Sequence, residues 1–231
     1  MRHSLAWIVF ITVLTVSGCD KDKELSTDIS QKGASHVVGD ADGQPQRFKE
    51  GVHYVVKKHL PPSSEPQIIK FISYNCPACR FFESTSKITH TERVVVERFP
   101  VSFSREQWRD TARAYAVLRS LNIHEQLSGQ LFKAVQDKHA PMGDKTFFID
   151  WLSGLTTLSQ KQIEDAYEHD KVAELMAMYK AAERRYAITS VPSVYINGNI
   201  QIKLKALEGE TQLDRMIFLS ELTDYLIAQV E

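Results

Sequence analysis

An apolar β-strand that runs directly into a closely spaced cysteine pair is the feature that most restricts the fold of this chain. Residues 67–73 (QIIKFIS) have the apolar composition of a buried strand. Cys76-Pro77-Ala78-Cys79 follows after two residues. The proline indicates that a helix begins there, because its missing N–H would be unpaired in the first helical turn anyway. The sequence therefore predicts a strand–turn–helix unit with Cys76 at the helix N-terminus.

That position gives the two sulfurs different properties. Free N–H groups and the positive end of the helix dipole favour a thiolate at Cys76. They can lower a cysteine pKa from about 8.5 into the range of about 3.5–7.5. Cys79, one turn further on, should be more buried and should keep its proton longer. We expect Cys76 to be the attacking sulfur and Cys79 the resolving one, with Pro77 and Ala78 tuning their redox properties.

A Cys-x-x-Cys pair can have other roles. Zinc requires four ligands, and the chain has no second cysteine pair to complete such a site. Covalent haem attachment requires a histidine after the second cysteine, where this chain has Arg80. A copper site that also uses Met176 and Met178 stays open, although methionines at that spacing are more often core residues. We expect no metal and no cofactor at the pair.

The N-terminus is typical of an exported protein. A short basic head precedes an apolar run of twelve residues, Leu5 to Val16, which is too short to span a bilayer comfortably. Val16-Ser17-Gly18-Cys19 resembles a bacterial lipobox, which predicts a signal peptide over 1–18 and a lipid on Cys19. Asp20 resembles the signal that keeps some lipoproteins on the inner membrane. An ordinary signal peptide followed by an unmodified cysteine is the alternative. We expect a periplasmic protein anchored to a membrane, most simply the inner one.

Cysteine use and charge narrow the function. Of three cysteines, lipidation would use Cys19 and leave only Cys76 and Cys79. A disulfide between these two would close a very small loop and would remove little entropy from the unfolded chain, so a redox role explains the pair better than a stabilising one. The chain has 28 basic and 29 acidic residues and no basic block, which excludes nucleic acid as an expected partner.

The remaining patterns indicate an α/β domain interrupted by a helical insertion. Residues 19–47 are polar with scattered glycines and predict a flexible tether, with an ordered arm packed on the domain as the alternative, and the domain should span 48–231. Further short strands are predicted over 52–56 and 94–101. Helical periodicity fills residues of about 105–186 without a strand signal, and Ser159 is a candidate helix N-cap.

The C-terminal segment predicts a hairpin and a helix. Two strands, 193–196 and 199–204, flank Asn197-Gly198, which favours a type I′ turn. An amphipathic helix then carries Met216, Leu219, Leu222 and Leu226.

With these residues identified, the chain resembles the DsbA family of bacterial thiol:disulfide interchange proteins. The similarity rests on FKEGVHY from Phe48, EPQIIKFISYNCPACRFFE from Glu65 and SVPSVYING from Ser190, in that order. It implies a thioredoxin-like fold with an inserted helical domain, and an oxidase that introduces disulfides into reduced exported proteins. It also implies reoxidation by a quinone-linked membrane partner of the DsbB type.

The same resemblance implies a cis bond between Val191 and Pro192, facing the cysteines. Such a bond would leave the backbone edge of Val191 free to pair with an extended substrate peptide. Without the resemblance, a trans proline at the start of a strand would be expected.

Two residues depart from the family pattern. Ala78 stands where the family's oxidants usually have histidine, so we expect a less oxidising disulfide. Lys70 stands where the family commonly has a buried glutamate. Lys70 could favour the Cys76 thiolate or accept a proton from Cys79. Alternatively, its stem could be buried while its amino group reaches solvent.

Two other functions stay open. One is a reductase or isomerase of the same fold, although the segment before Phe48 is too short for a folded dimerisation domain. The other is a non-enzymatic lipoprotein that binds copper or a protein partner.

Overall fold

A mixed five-stranded sheet forms the centre of the computed structural model, which describes residues 47–85 and 94–229. Its strands lie in the order β1-β5-β4-β2-β3. Strands β2 and β3 are parallel, and the other neighbours are antiparallel. The strand bounds are β1 Tyr54–Val56, β2 Gln67–Ile72, β3 Val95–Pro100, β4 Ser193–Ile196 and β5 Ile200–Ile202. The predicted signal peptide and Cys19, with the tether up to residue 46, lie outside the described residues.

Helices cover both faces of the sheet. One helix follows β2, five helices join β3 to β4, and one helix ends the domain. The helix bounds are α1 Pro77–Thr85, α2 Glu106–Ser120, α3 His124–Asp137, α4 Lys145–Ser153, α5 Gln160–Glu168, α6 Asp170–Arg185 and α7 Gln212–Ile227, with a 3₁₀ turn at Leu204–Ala206. The α/β fold with a helical insertion is thereby confirmed. Within the described residues, none of these helices is long and apolar enough to cross a membrane.

Aromatic stacking holds the insertion on one face of the sheet. Phe71 of β2 lies 5.5 Å from Phe99 of β3 and 5.1 Å from Tyr186, measured between ring centroids. Tyr186 follows α6 and lies 4.7 Å from Tyr195 of β4. Aromatic pairs at these distances add about 0.5–1.5 kcal/mol each to the free energy gained by burial. The insertion is therefore packed on the sheet through the strands that carry the cysteine pair and the proline loop.

Helices α1 and α7 cover the opposite face. Phe82 of α1 and four apolar side chains of α7 form one buried cluster with the sheet. The residues of α7 in this cluster are Phe218, Leu219, Leu222 and Leu226. Each such side chain contributes roughly 1.5–3 kcal/mol when fully buried. The predicted amphipathic C-terminal helix is thus the second layer of the domain.

The β4–β5 hairpin fixes the direction of α7. Its turn has positive φ at Asn197 (49°) and Gly198 (79°), as the predicted type I′ turn requires. The Asn197 side-chain amide donates to Leu226 O at 2.8 Å, near the end of α7, and its Oδ1 accepts from the N–H of Gln67 at 3.2 Å. The C-terminus of α7 therefore lies at the edge where β2 begins. The first half of α7 lies towards the edge where β2 ends, because the ring of Phe218 lies 5.2 Å from that of His53, whose carbonyl accepts the N–H of Lys203 just after β5.

Local hydrogen bonds determine where β1 begins and how α5 is capped. Strand β1 begins at Tyr54 rather than Val52, because the N–H of His53 bonds to Lys49 O at 2.9 Å in a turn that includes Gly51 at φ 80°. Ser159 is the N-cap of α5, as predicted, and it also forms a capping box with Gln162.

Candidate active site

The cysteine pair lies where β2 ends and α1 begins. Cys79 is fully buried, whereas Cys76 is partly exposed just before the first helical residue, Pro77. Both thiols are free. The backbone N–H of Cys79 lies 3.3 Å from Cys76 Sγ, so the helix N-terminus directs a donor at the outer sulfur. The predicted exposed and buried positions of the two sulfurs are therefore observed.

This geometry separates the acidities of the two thiols. The hydrogen bond from the Cys79 thiol lowers the pKa of Cys76 to about 6, with help from the backbone N–H groups of Cys79 and Ala78 and against the effect of partial burial. The same hydrogen bond and burial raise the pKa of Cys79. At neutral pH the outer sulfur is mainly a thiolate, and the inner one holds its proton.

The second sequence motif approaches the outer sulfur from β4. The bond between Val191 and Pro192 is cis, as the family resemblance implied. Val191 O lies 3.7 Å from Cys76 Sγ. Pro192 directly precedes β4, and Ser193 of β4 pairs with Phe71 of β2. Two segments 115 residues apart in the chain are thereby brought to one site.

Lys70 is buried in an ion cluster rather than reaching solvent. Its side chain lies on β2 and is 5% exposed, with Nζ 3.3 Å from Glu83 Oε1 of α1. Arg98, the register partner of Lys70 on β3, binds Glu83 Oε2 through Nε at 2.7 Å. Burial lowers the pKa of Lys70, and the negative charge of Glu83 partly offsets this effect. The alternative of a buried stem with a solvated amino group is therefore wrong.

Glu83 links this cluster to the inner cysteine. Burial alone would raise the pKa of Glu83, but Lys70 and Arg98 together lower it, so the carboxylate stays charged. Cys79 and Glu83 are four residues apart on α1 and therefore share a helix face. The negative charge of Glu83 contributes to the raised pKa of Cys79. Any effect of Lys70 on Cys79 would therefore act largely through Glu83.

Sequence reasoning missed several residues around the pair. Besides Glu83 and Arg98, these are Thr111 and Gln136 of the insertion, which hydrogen-bond to the segment that carries Cys76. Spacing from the cysteines could have revealed Glu83. A polar residue in a separate helix gives no such signal.

The described residues do not form a recognisable metal site. In the parts of the chain that the structure describes, no group of three or more His, Cys, Asp and Glu side chains could hold a metal ion. Met176 and Met178 are partly buried against the core of the insertion. Their packing explains their spacing without a ligand role.

Comparisons with known proteins agree with this geometry. A family model described as Thioredoxin matches residues 61–215. The thiol:disulfide interchange protein DsbA of Pectobacterium carotovorum subsp. carotovorum is 23% identical over 191 residues, covering 79% of this chain and 89% of that protein.

Two solved structures share the fold. The crystal structure of Pseudomonas aeruginosa DsbA has a TM-score of 0.68 at 21% identity and covers 82% of this chain and 95% of that one. The complex of Proteus mirabilis DsbA with the non-covalently bound peptide PWATCDS has a TM-score of 0.67 at 23% identity, covering 78% and 98%. The chain therefore belongs to the thioredoxin family, as a DsbA-like member.

Proposed function

We propose that this DsbA-like thiol–disulfide oxidoreductase is a dithiol oxidase that introduces disulfide bonds into exported proteins. The observation that carries the proposal is the separation in acidity between Cys76, with a pKa of about 6, and Cys79, whose pKa is raised. A stabilised Cys76 thiolate stabilises the reduced protein. The disulfide form is then the better oxidant, because its reduction yields the stabilised product.

The reaction proceeds through two exchanges. A substrate thiolate attacks Cys76 Sγ of the oxidised pair, the bond between Cys76 and Cys79 breaks, and the inner sulfur leaves and takes up a proton. A second substrate thiolate then attacks the substrate sulfur of the mixed disulfide. Cys76 leaves as a thiolate, the substrate gains a disulfide, and the enzyme is left as the dithiol.

Backbone pairing at Val191 would orient the substrate. The loop before β4 lies beside the attacked sulfur, with Val191 O 3.7 Å from Cys76 Sγ. An extended peptide that paired with the backbone of Val191 would bring its cysteine to that sulfur without requiring a particular sequence. Pro192 would hold this edge in place. Such tolerance suits an enzyme that acts on many reduced proteins.

Exposed apolar side chains at the same edge of the sheet would contact unfolded substrates. Phe81 of α1 is 42% exposed, and Leu213 and Ile217 in the first turns of α7 are 69% and 49% exposed. Both helices begin at the edge where β2 ends. We call these three residues the apolar edge. Exposed apolar side chains near a reactive site favour reduced, incompletely folded chains, which still expose their own apolar residues.

Localisation and reoxidation complete the proposal. A lipid on Cys19 would tether the enzyme to the periplasmic side of a membrane, and a DsbB-type membrane protein would take electrons from the reduced pair. Metabolic labelling with palmitate should mark the natural chain but not Cys19→Ser. A natural chain without label, or a labelled variant, would contradict the anchor at Cys19.

A reductase or isomerase is the second candidate, and Ala78 favours it. The Ala78 side chain is an exposed methyl group that adds neither charge nor a hydrogen-bond donor beside Cys76. We therefore expect a redox potential less oxidising than that of family members with histidine at this position. Equilibration with glutathione measures it, and Ala78→His should shift the equilibrium towards the reduced protein. An unusually oxidising potential for the natural chain would contradict this expectation.

Parallel assays separate the candidates. The oxidised protein should refold a reduced, disulfide-dependent enzyme in the absence of glutathione, with little insulin reduction and little rescue of a scrambled disulfide substrate. Cys76→Ser should abolish oxidative refolding. Faster insulin reduction than substrate oxidation would favour the reductase. Stoichiometric copper in protein purified from copper-supplemented cells, with no exchange activity, would favour the binding lipoprotein.

A further inference from the structure

The helical insertion contacts the segment that carries the outer cysteine through side chains of α2 and α3. Thr111 Oγ1 of α2 donates to Asn75 Oδ1 at 2.8 Å. Gln136 Nε2 of α3 donates to two backbone carbonyls, Tyr74 O at 2.8 Å and Cys76 O at 3.1 Å. The two carbonyls flank Asn75, so one side-chain amide spans the turn between β2 and α1. Gln136 is the residue of this group that bonds to the backbone of the attacking cysteine itself.

The carbonyl of Cys76 is also where α1 starts. It accepts the N–H of Cys79 at 3.1 Å and the N–H of Arg80 at 3.2 Å, which are the first hydrogen bonds of the helix. The N–H of Cys79 simultaneously points at Cys76 Sγ. The N–H of Cys79 helps to acidify the Cys76 thiol, and Gln136 holds the Cys76 carbonyl. Both backbone groups therefore belong to the same helical turn. A tilt of that turn would misalign the donors, and hydrogen bonds weaken steeply with angle.

Gln136 also donates a hydrogen bond to a carbonyl that receives none from the N–H groups of α1. Pro77 has no N–H, and Tyr74 precedes the helix. Among the hydrogen bonds of residues 47–85 and 94–229, the donor to Tyr74 O is the Gln136 amide. Because the two N–H groups of one nitrogen match two carbonyls, the bonds to Tyr74 and Cys76 constrain each other.

We propose that Gln136 is a positioning residue that contributes to the acidity of Cys76 from the helical insertion. It does so by fixing the turn whose N–H groups stabilise the thiolate. The inference rests on the proposed redox function of the pair, but it concerns a property that can be measured without any substrate. It also assigns the insertion a part in the chemistry, in addition to covering the sheet.

The test replaces the amide while keeping the length of the side chain. Gln136→Met removes both donors. Gln130→Met makes the same chemical change at an exposed position of the same helix and serves as the matched control. We expect Gln136→Met to raise the pKa of Cys76 by about one unit, which slows its alkylation by iodoacetamide about ten-fold at pH 5. At pH 7, the equilibrium with glutathione should move about five-fold towards the disulfide form. The control should leave both quantities unchanged.

A purely structural role would give a different result. In that case Gln136→Met would lower the unfolding midpoint of the oxidised protein, while the pKa of Cys76 and the glutathione equilibrium stayed at their natural values. That outcome would overturn the proposal. Should Gln136→Met fail to fold, Gln136→Asn keeps an amide that is one methylene too short, and it must raise the pKa in the same direction. Failure of the oxidase proposal would be recognised separately, as an absence of oxidative refolding by the natural chain.

Discussion

At the residue scale, the acidity of Cys76 depends first on the thiol of Cys79, which donates a hydrogen bond to it. We predict that Cys79→Ala raises the pKa of Cys76 by about one to two units, because a hydrogen bond to a charged group is lost. Cys79→Ser keeps a donor and should leave the pKa near 6. The pH dependence of Cys76 alkylation in the two single-thiol variants measures the difference. Identical titration of the two variants would assign the acidity to the helix N-terminus alone.

The same shift makes the stability of the reduced protein depend on pH. The pKa of Cys76 is about 6 in the folded chain, below the ordinary cysteine value of 9.0 that applies in the unfolded chain, so the folded state binds fewer protons between these values. The contribution of the Cys76 thiol to the free energy of unfolding is absent below pH 6 and grows as the pH rises above 6. This stabilisation is lost when the pH falls back through 6. Above about pH 8, ionisation of unfolded Cys79, whose folded pKa is raised, opposes this gain.

We therefore predict that the reduced form gains stability relative to the disulfide form between pH 6 and pH 8. Denaturant unfolding of both forms at pH 5, 6, 7 and 8 measures the difference, with pH 5 as the baseline. In Cys76→Ser, the reduced protein should lose this gain. A difference that fell over the same interval would contradict the low pKa of Cys76.

At the element scale, Lys70, Glu83 and Arg98 join β2, α1 and β3 through buried charges. Removing one member of a buried pair leaves its partner without full compensation. Because Arg98 still pairs with Glu83, we predict that Lys70→Met lowers the free energy of unfolding by about 1–3 kcal/mol. The less compensated Glu83 carboxylate should raise the pKa of Cys79 further and slow the step in which the inner sulfur attacks a mixed disulfide.

Chemical unfolding and the release rate of a mixed disulfide with glutathione test this prediction. Lys58→Met changes an exposed lysine and serves as the control. The double variant Lys70→Met with Glu83→Gln should recover part of the exchange rate, because it also removes the uncompensated charge. If Lys70→Met leaves both thiol pKa values and the exchange rate unchanged, Lys70 has no role in tuning the pair.

The elements themselves could be predicted from the sequence because their signals are local. Asn197-Gly198 determines its turn within two residues, and Ser159 caps its helix through a partner three residues away. The position of Pro192 opposite the cysteines came from the family resemblance. The ion cluster and the contact of Gln136 could not be predicted, since each joins residues from separate elements. Their geometry exists only after the sheet and the insertion have packed together.

At the scale of the whole molecule, the sheet brings three distant parts of the chain to one edge: the start of α1, the loop before β4 and the start of α7. Strand β5 runs in the same direction as β2, because both are antiparallel to β4. Helix α7 follows β5 after a short connection, so its first turns lie near the edge where α1 also begins. The apolar edge, Phe81 with Leu213 and Ile217, is therefore on the same side of the molecule as Cys76. The topology places exposed apolar side chains, which suit unfolded substrates, at the same edge of the sheet as the sulfur that those substrates would reduce.

We predict that the double substitution Leu213→Ser with Ile217→Ser lowers kcat/KM for a reduced protein substrate by about ten-fold, equivalent to about 1.4 kcal/mol of lost apolar contact. The reaction with glutathione should keep its rate, because a small thiol does not reach α7. Leu155→Ser replaces a leucine that lies between α4 and α5 and is 41% exposed, and it serves as the control. Stopped-flow measurement of enzyme reduction by the two thiols separates the effects. An equal loss for glutathione, or the same loss in Leu155→Ser, would mean that substrates do not use the apolar edge.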